Sequence, residues 1–238
     1  MSLPPYKRSK KLSSSSREVI CGDSSVELVK TSNETLFSNS SIVFSPPDIS
    51  EIFERCPTIK LYKEFFRQVL DASINHLTDD QFICAIFTPR YWTEKESEDS
   101  IEKLVFLDKA NWFTTACLEL GLTLVFSKIV LNDNSTRKRT HYCDYTNLVM
   151  FRKGESPYNN ISEFQSDVLK PRESKSWIKG FNWDIIAKVV KFFKNNGCTK
   201  VFDPFCGHGT ALKVASDYSM EGVGIEIEEK YCSIARED

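Results

Sequence analysis

The feature that most constrains the fold is a stretch near the C-terminus, where an apolar strand pattern runs into two glycines and then a helix pattern. It reads Lys200-Val-Phe-Asp-Pro-Phe-Cys-Gly-His-Gly-Thr210. Glycines let the backbone approach a ligand closely, and a helix start offers unpaired N–H groups to an anionic group. A second strand pattern, Gly222 to Ile227, includes Glu226, suitably placed to bind the two hydroxyls of a ribose. The sequence thus indicates a nucleoside-binding site in an α/β fold.

This stretch allows two other interpretations. A glycine pair on its own also occurs at an ordinary tight turn. A dinucleotide-binding Rossmann fold wants a third glycine, in the pattern Gly-x-Gly-x-x-Gly, but Leu212 occupies that position. The sequence therefore disfavours a dinucleotide and favours another nucleoside cofactor.

The remainder of the chain alternates short apolar strand patterns with helical patterns, which is typical of a parallel sheet covered on both faces. The last two strands before the C-terminal motif have only a polar, basic loop between them, which predicts an antiparallel hairpin that ends the sheet. A helical pattern before Gly197 predicts a helix stop there. The seven predicted strands are Glu18 to Cys21, Ser41 to Ser45, Gln81 to Phe87, Leu122 to Leu131, Tyr145 to Arg152, Thr199 to Asp203 and Gly222 to Ile227.

The predicted organisation is a basic, Ser-rich, disordered tail over residues 1–16, followed by a single domain over residues 17–238. Three polar segments, 89–100, 132–140 and 153–175, fit the alternation poorly and are predicted to be surface loops.

Composition limits the class of protein. The formal net charge is −2, so any contact with nucleic acid must use local basic patches rather than bulk positive charge. The chain lacks both the run of about 20 apolar residues that a membrane helix needs and a signal peptide, so we expect an intracellular protein with no membrane partner. The cysteines form no CxxC motif, and Cys21, Cys84, Cys117 and Cys198 lie in apolar stretches; they predict reduced core thiols and no bound metal.

A second motif, Ser41-Ile-Val-Phe-Ser-Pro-Pro47, lies in the first quarter of the chain, after Cys21-Gly22-Asp23. In isolation, its two prolines would be interpreted as a strand end. With the C-terminal motif, the chain resembles the beta-class DNA amino-methyltransferases. Their sequences carry an Asp/Asn/Ser-Pro-Pro-aromatic catalytic motif first and an Asp-Pro-Phe-x-Gly-x-Gly-Thr cofactor motif near the C-terminus. The resemblance covers roughly Glu18 to Asp238.

This resemblance implies a Rossmann-like, seven-stranded α/β methyltransferase sheet with an antiparallel last strand. It also implies circular permutation, with the catalytic half first and the cofactor half C-terminal. The implied cofactor is S-adenosylmethionine, and the implied acceptor is an exocyclic amino group of a nucleic-acid base, with DNA (cytosine N4 or adenine N6) ahead of RNA. A catalytically silent cofactor-binding or partner subunit is the remaining alternative. A protein partner or a homodimer is a possible source of target recognition.

By resemblance, the C-terminal glycine turn holds the methionine end of the cofactor, Glu226 the ribose and Asp23 the adenine amino group. Trp177 lies in the segment that takes the place of the family's other methionine-contacting motif. The implied cofactor-binding residues are Asp23, Trp177, Asp203, Pro204, Phe205, Cys206, Gly207, Gly209, Thr210 and Glu226.

The implied catalytic residues are Ser45, Pro46, Pro47 and Asp48. An exocyclic amino nitrogen is a poor nucleophile because its lone pair is delocalised into the ring. Oxygen acceptors for its two hydrogens, here Ser45 Oγ and the Pro46 carbonyl, localise that lone pair, while the rigid prolines fix the loop. Asp48 stands where the family has an aromatic that stacks on the flipped base. We therefore expect Asp48 to accept a hydrogen bond from a base, or a nearby aromatic to supply the missing face.

Local clusters of basic and aromatic residues are the candidates for contact with nucleic acid. The same clusters are equally typical of solvent-exposed loops that bind no nucleic acid. The candidate nucleic-acid-binding residues are Arg90, Tyr91, Trp92, Arg137, Lys138 and Arg139.

Overall fold

The computed structural model describes residues 16–94, 102–131, 143–158, 164–171 and 182–237. The strands are β1 (Arg17–Cys21), β2 (Ser41–Phe44), β3 (Phe82–Phe87), β4 (Arg90–Glu94), β5 (Lys103–Leu107), β6 (Thr123–Leu131), β7 (Tyr145–Arg152), β8 (Val168–Leu169), β9 (Lys200–Asp203) and β10 (Glu221–Glu226). The helices are α1 (Ser24–Glu27), α2 (Glu34–Phe37), α3 (Ile59–Asn75), α4 (Lys109–Glu119), α5 (Trp183–Asn195), α6 (Thr210–Asp217) and α7 (Glu229–Arg236), with 3-10 turns at Thr31–Asn33 and Ile49–Glu51.

Eight of the strands form one mixed sheet in the order β1-β10-β9-β2-β3-β7-β6-β8. Every neighbouring pair is parallel except for the two pairs made by β7, which runs antiparallel to both β3 and β6. Strands β4 and β5 form a separate antiparallel hairpin. All seven predicted strands are present, with bounds within about one residue of those expected, but the predicted count of seven is not confirmed, because the main sheet has eight strands.

The sheet is covered on both faces, and the side chains of its central strands alternate between two apolar cores. In β2, Ile42 and Phe44 pack into the core that contains α3 and α4, whereas Val43 packs into the core that contains α5 and α6. Burial on both sides explains why these strands are almost continuously apolar.

The long helices begin and end where local chemistry favours it. The Thr58 side chain accepts a hydrogen bond from the Leu61 N–H (3.2 Å) at the start of α3, and Asn182 accepts one from the Asp184 N–H (3.1 Å) at the start of α5. After α5 the chain turns at Gly197, whose φ is 82°, which confirms the predicted helix stop. Within the described ranges, no helix is both long enough and apolar enough to span a membrane.

Two predicted loops contain strands. Residues 90–94, expected to lie in a loop, form β4, in which a buried Arg90 is followed by an exposed Tyr91. The mixture of charge and aromatic residues concealed this two-residue alternation. Within 153–175, β8 pairs in parallel with β6, so the hairpin of β6 and β7 does not end the sheet as predicted. The predicted loop over 132–140 and the first fifteen residues lie outside the described residues.

One cysteine prediction is wrong. Cys21 forms a disulfide with Cys232, with the two Cα atoms 6.0 Å apart and the residues separated by 211 positions. The pairing joins the end of β1 to α7, because β1 runs beside β10 and α7 packs back against β1. No local spacing reveals such a pair. Cys84, Cys117 and Cys198 are free thiols, as expected.

The topology creates one reversal of strand order, between β9 and β2 at the centre of the sheet. From β9 the chain continues through α6 to β10 on one side, and from β2 through α3 to β3 on the other. Such a reversal opens a crevice at the carboxyl ends of the two strands, where ligands bind in open α/β sheets. Both predicted motifs begin at these two strand ends.

Candidate functional site

The fold brings the two sequence motifs together. The ring centroids of Phe44, at the end of β2, and Phe205, just after β9, are 6.2 Å apart. The Ser24 hydroxyl, next to Asp23, donates a hydrogen bond to the Pro204 carbonyl. Residues far apart in the chain therefore line one end of the sheet.

Asp203 is the most deeply buried acid of this region, with 0% of its surface exposed. Its Oδ1 accepts a hydrogen bond from the Phe205 N–H (3.0 Å). Among the described residues, none hydrogen-bonds to its Oδ2. Burial raises the pKa of Asp203 to about 8, opposed by the Phe205 N–H and reinforced by the charge of Glu226. An unpartnered buried carboxyl oxygen has unused capacity to bind a donor or a cation.

The turn between β9 and α6 requires glycine, both for its backbone conformation and for space. The Gly207 N–H donates to Glu226 Oε2 (2.9 Å), and the Cys206 N–H donates to the Ile225 carbonyl (2.9 Å), so the turn is tied to β10. Gly209 has a φ of 74°, and a Cβ there would lie 2.9 Å from the Ala235 Cβ. Gly209 is the N-cap of α6 and provides no side-chain cap, so the N–H groups at the helix start are not capped from that position.

Glu226 lies at the end of β10 and is held by the backbone around it. In addition to the Gly207 N–H, its carboxylate accepts the Glu228 N–H through Oε1 (2.9 Å). Burial raises its pKa, although the hydrogen bonds from backbone N–H groups oppose the shift. Each oxygen has a second acceptor position, which suits binding of ribose hydroxyls.

Asp23 has structural partners that the sequence did not reveal. Its Oδ1 accepts the Ser25 N–H (2.9 Å) and caps α1, while its Oδ2 pairs with the Arg55 guanidinium. Arg55 also donates to Ser25 Oγ (2.7 Å) and lies 4.8 Å from the Phe65 ring centroid. The predicted contact of Asp23 with adenine would therefore share the carboxylate with Arg55.

The Ser-Pro-Pro loop is held in place by a hydrogen bond from helix α3. Ser45 is partly exposed and Pro46 is buried. The Tyr62 hydroxyl, on α3, donates to the Pro47 carbonyl (2.7 Å). Burial and the nearby acids raise the pKa of Tyr62 well above its ordinary value, so the hydroxyl remains a donor. Loop position is thus fixed by both proline geometry and a buried hydrogen bond.

Asp48 is held by two buried cations. Its Oδ1 pairs with Lys109 Nζ, and its Oδ2 lies 3.7 Å from Arg90 Nη1. The Lys109 and Arg90 side chains are only 4% and 9% exposed. The Asp48 N–H also donates to Glu51 Oε2 (2.8 Å). We predicted that this carboxylate accepts a hydrogen bond from a base; in the structure both of its oxygens already face cations, so a base would have to share them.

The nucleic-acid candidates of β4 have different surroundings. Arg90 is buried and donates to Ser50 Oγ (2.8 Å), which corrects its prediction as an exposed loop residue available to phosphates. Tyr91 is 40% exposed on one face, and Trp92 lies on the other, beside Phe53. The remaining candidates, Arg137, Lys138, Arg139 and the predicted cofactor residue Trp177, lie outside the described residues.

Comparison with protein families gives one assignment. The family model described as DNA methylase matches residues 1–237. A comparison with curated protein sequences finds no match.

Solved structures share the fold at low sequence identity. TTHA0409 of Thermus thermophilus, named as a putative DNA modification methylase and solved with S-adenosyl-L-methionine, is 15% identical over 92% of this chain and 91% of its own, with a TM-score of 0.67. The PvuII DNA methyltransferase, cytosine-N4-specific, is 18% identical over 93% of this chain and 85% of its own, with a TM-score of 0.64. The M1.HpyAVI complex with SAM is 13% identical over 92% and 98%, with a TM-score of 0.60. This likeness establishes a methyltransferase-like α/β fold.

Proposed function

Because the chain belongs to the DNA methylase family, whose model matches residues 1–237, we propose that it transfers the methyl group of S-adenosylmethionine to an exocyclic amino nitrogen of a DNA base. Cytosine N4 is the first candidate acceptor and adenine N6 the second, because Ser45 leads the catalytic motif, and in this family Ser at that position is typical of cytosine N4 whereas Asp or Asn is typical of adenine N6. The observation that carries the proposal is the meeting of the Ser-Pro-Pro loop with the glycine turn at the strand-order reversal.

The residues of the glycine turn fit the proposed cofactor. Glu226 offers acceptor positions for the ribose hydroxyls, and the unpartnered Asp203 Oδ2 offers a carboxyl oxygen to the cationic methionine end. The start of α6 offers N–H groups to its carboxylate. Asp23 would contact the adenine amino group. Pro204, Phe205, Cys206 and Thr210 complete the set as residues of the turn and helix start.

When bound, S-adenosylmethionine supplies an electrophilic methyl group on a sulfonium. The chain's own contribution is to prepare the acceptor nitrogen. Ser45 Oγ and the Pro46 carbonyl accept the two amino hydrogens, and the lone pair then localises on nitrogen. Pro47, held through its carbonyl by Tyr62, keeps this loop in position. This arrangement needs no general base of unusual pKa before transfer.

The strand order supports the proposal that the fold is circularly permuted. If β9 and β10 are strands one and two of the methyltransferase fold, then β1, β2, β3, β6 and β7 become strands three to seven. In those numbers the observed order β1-β10-β9-β2-β3-β7-β6 runs 3-2-1-4-5-7-6, and the last strand, β7, is antiparallel, as the resemblance implies. Strand β8 is an addition to it.

Binding of the DNA is assigned to basic residues outside the described part of the chain. Selection of the target sequence is assigned to a protein partner or to a second copy of this chain. Arg137, Lys138 and Arg139 form the strongest local basic cluster of the sequence candidates. Clustered phosphate contacts would raise affinity without reading sequence.

Methyl transfer from labelled cofactor to DNA, RNA and protein, each offered separately, tests the proposal. We expect label in DNA, and digestion to nucleosides should identify 4-methylcytosine. Label confined to RNA or to protein would contradict the DNA assignment.

One observation favours a second candidate function, that of a catalytically silent partner subunit. The position of the usual stacking aromatic is Asp48, and its carboxylate is engaged by Lys109 and Arg90. A protein that binds the cofactor in calorimetry, transfers no methyl group alone and stimulates a co-purified methyltransferase would fit this candidate instead.

A further inference from the structure

A cleft of about 430 Å³ lies between the segment that follows Asp48 and strand β4. Ser50, two residues after Asp48, forms part of its wall. The full lining is Ser50, Phe53, Pro57, Trp92, Thr93 and Glu94.

Two aromatic side chains dominate the cleft. The ring centroids of Phe53 and Trp92 are 5.9 Å apart, with the planes inclined at 46°. Phe53 is 48% exposed, so part of its ring is open to solvent and available to a ligand. The guanidinium of Arg90 lies 5.3 Å from the Trp92 ring centroid, so a cation stabilises the inner aromatic.

Arg90 connects this cleft to the catalytic loop. The same side chain donates to Ser50 Oγ at 2.8 Å and lies 3.7 Å from Asp48 Oδ2. One side chain therefore separates the Asp48 position, where the family stacks its target base, from the aromatic pair. The cleft therefore adjoins the Asp48 position, as a site for the neighbouring nucleotide would.

The charge of the cleft argues for a base rather than a phosphate. Glu94 lines it, with Oε1 accepting the Ile59 N–H (3.0 Å), and an acid repels a phosphate. The Ser50 and Thr93 hydroxyls can hydrogen-bond to base edges or sugar. Exposed aromatic faces bind bases of every sequence by stacking.

We infer that this cleft binds the base adjacent to the methylated base of the DNA strand, stacked on Phe53 and Trp92. The inference rests on the proposed function. Stacking of the neighbouring base would compensate in part for the stacking on the target base that Asp48, in place of the usual aromatic, does not provide. Such a contact would hold the DNA strand next to its target base, whatever the flanking sequence.

The test uses a short single-stranded DNA that the full chain methylates, with the methylated position identified by mass spectrometry. Each nucleotide is replaced in turn by an abasic residue, and binding is followed by fluorescence anisotropy. For wild type, loss of the base next to the methylated one should weaken binding about five- to a hundredfold, the range expected for one stacked base.

Phe53→Ala should weaken binding to the intact strand by a similar factor and should make the abasic replacement at that position neutral. Phe53→Tyr, which retains a ring, should bind like wild type. Tyr158→Ala is the matched control, because Tyr158 is a 39% exposed aromatic beside Phe82 at the start of β3, at the end of the sheet opposite the two motifs. It should also bind like wild type.

Equal affinities for Phe53→Ala and Tyr158→Ala, with methylation of DNA by wild type intact, would overturn the cleft assignment alone. If Phe53→Ala instead made the abasic replacement of the methylated base itself neutral, the assignment of the cleft to the neighbouring base would be overturned. A wild-type chain that binds cofactor but neither binds nor methylates DNA would overturn the proposed function, and the inference with it.

Discussion

Replacement of Asp203 by Asn should change how the stability of the cofactor-free protein depends on pH. Asp203 is fully buried, and burial raises its pKa from 3.8 to about 8. Between these two values the folded state holds a proton that the unfolded state has released. The folded state therefore binds more protons than the unfolded state, and the free energy of unfolding falls as pH rises through this window.

The magnitude follows from the width of the window. Each pH unit inside it removes about 1.4 kcal/mol from the free energy of unfolding through this one group. Between pH 5 and pH 8 the loss is on the order of 4 kcal/mol, a large part of the total stability of a typical domain. Asn is nearly isosteric with the protonated carboxyl and keeps an acceptor for the Phe205 N–H, but it carries no proton to lose.

Urea unfolding of both proteins at several pH values measures the effect. The stability of wild type relative to Asp203→Asn should fall steadily from pH 5 to pH 8 and level off above the folded pKa. Titrating groups that do not interact with Asp203 are common to both proteins and cancel in the difference, whereas Glu226, whose charge is coupled to Asp203, belongs to the measured effect. Asp79→Asn, at an exposed acid, should show no such trend. Parallel curves for wild type and Asp203→Asn would refute the argument that burial keeps Asp203 protonated.

Two further predictions concern the proposed cofactor and chemistry. Glu226→Ala should weaken calorimetric binding of S-adenosylmethionine by roughly tenfold or more, since loss of hydrogen bonds to a charged acceptor is worth about 1.5–3 kcal/mol. Glu221→Ala, at an exposed residue that begins the same strand, should leave it unchanged; equal losses would remove the ribose assignment. Ser45→Ala should lower kcat by about 10²-fold, as for removal of one stabilising group from an active site, with cofactor affinity retained. An unchanged kcat would exclude Ser45 from the reaction.

The sequence predicted the strands of the sheet well because the buried strands are rich in apolar residues. Central strands covered on both faces must be apolar along their whole length, as in Val43 and its neighbours. The hairpin strand β4 was missed, since its inward residue is a charged Arg90. A pattern based on hydrophobicity counts such a residue as solvent-facing, although the ion pair with Asp48 makes its burial acceptable.

The candidate site was predictable as two motifs but not as a network. Motif order and spacing indicated the glycine turn and the Ser-Pro-Pro loop, and the fold brings both to the same strand ends. Partners from distant segments were not visible. Arg55 on Asp23 and the Cys21–Cys232 disulfide depend on three-dimensional proximity, and no local spacing encodes them.

The ion pair at Asp48 decides how the missing aromatic can be tested. Lys109 is 3% exposed and has the Asp48 carboxylate as its counter-ion. Removing one partner of a buried ion pair destabilises a protein by about 3–5 kcal/mol, because the other charge remains buried. Asp48→Tyr alone should therefore lower the free energy of unfolding, and any loss of activity would report damage rather than chemistry. Asp48→Tyr combined with Lys109→Met removes this ion pair but keeps the second buried cation, Arg90, so it should recover the part of that stability that Lys109 accounts for in urea unfolding. Activity on DNA should then be compared between this double variant and wild type. A double variant as unstable as Asp48→Tyr would show that Lys109 is not what requires an acid at position 48, and that the substitution of the aromatic has another cause.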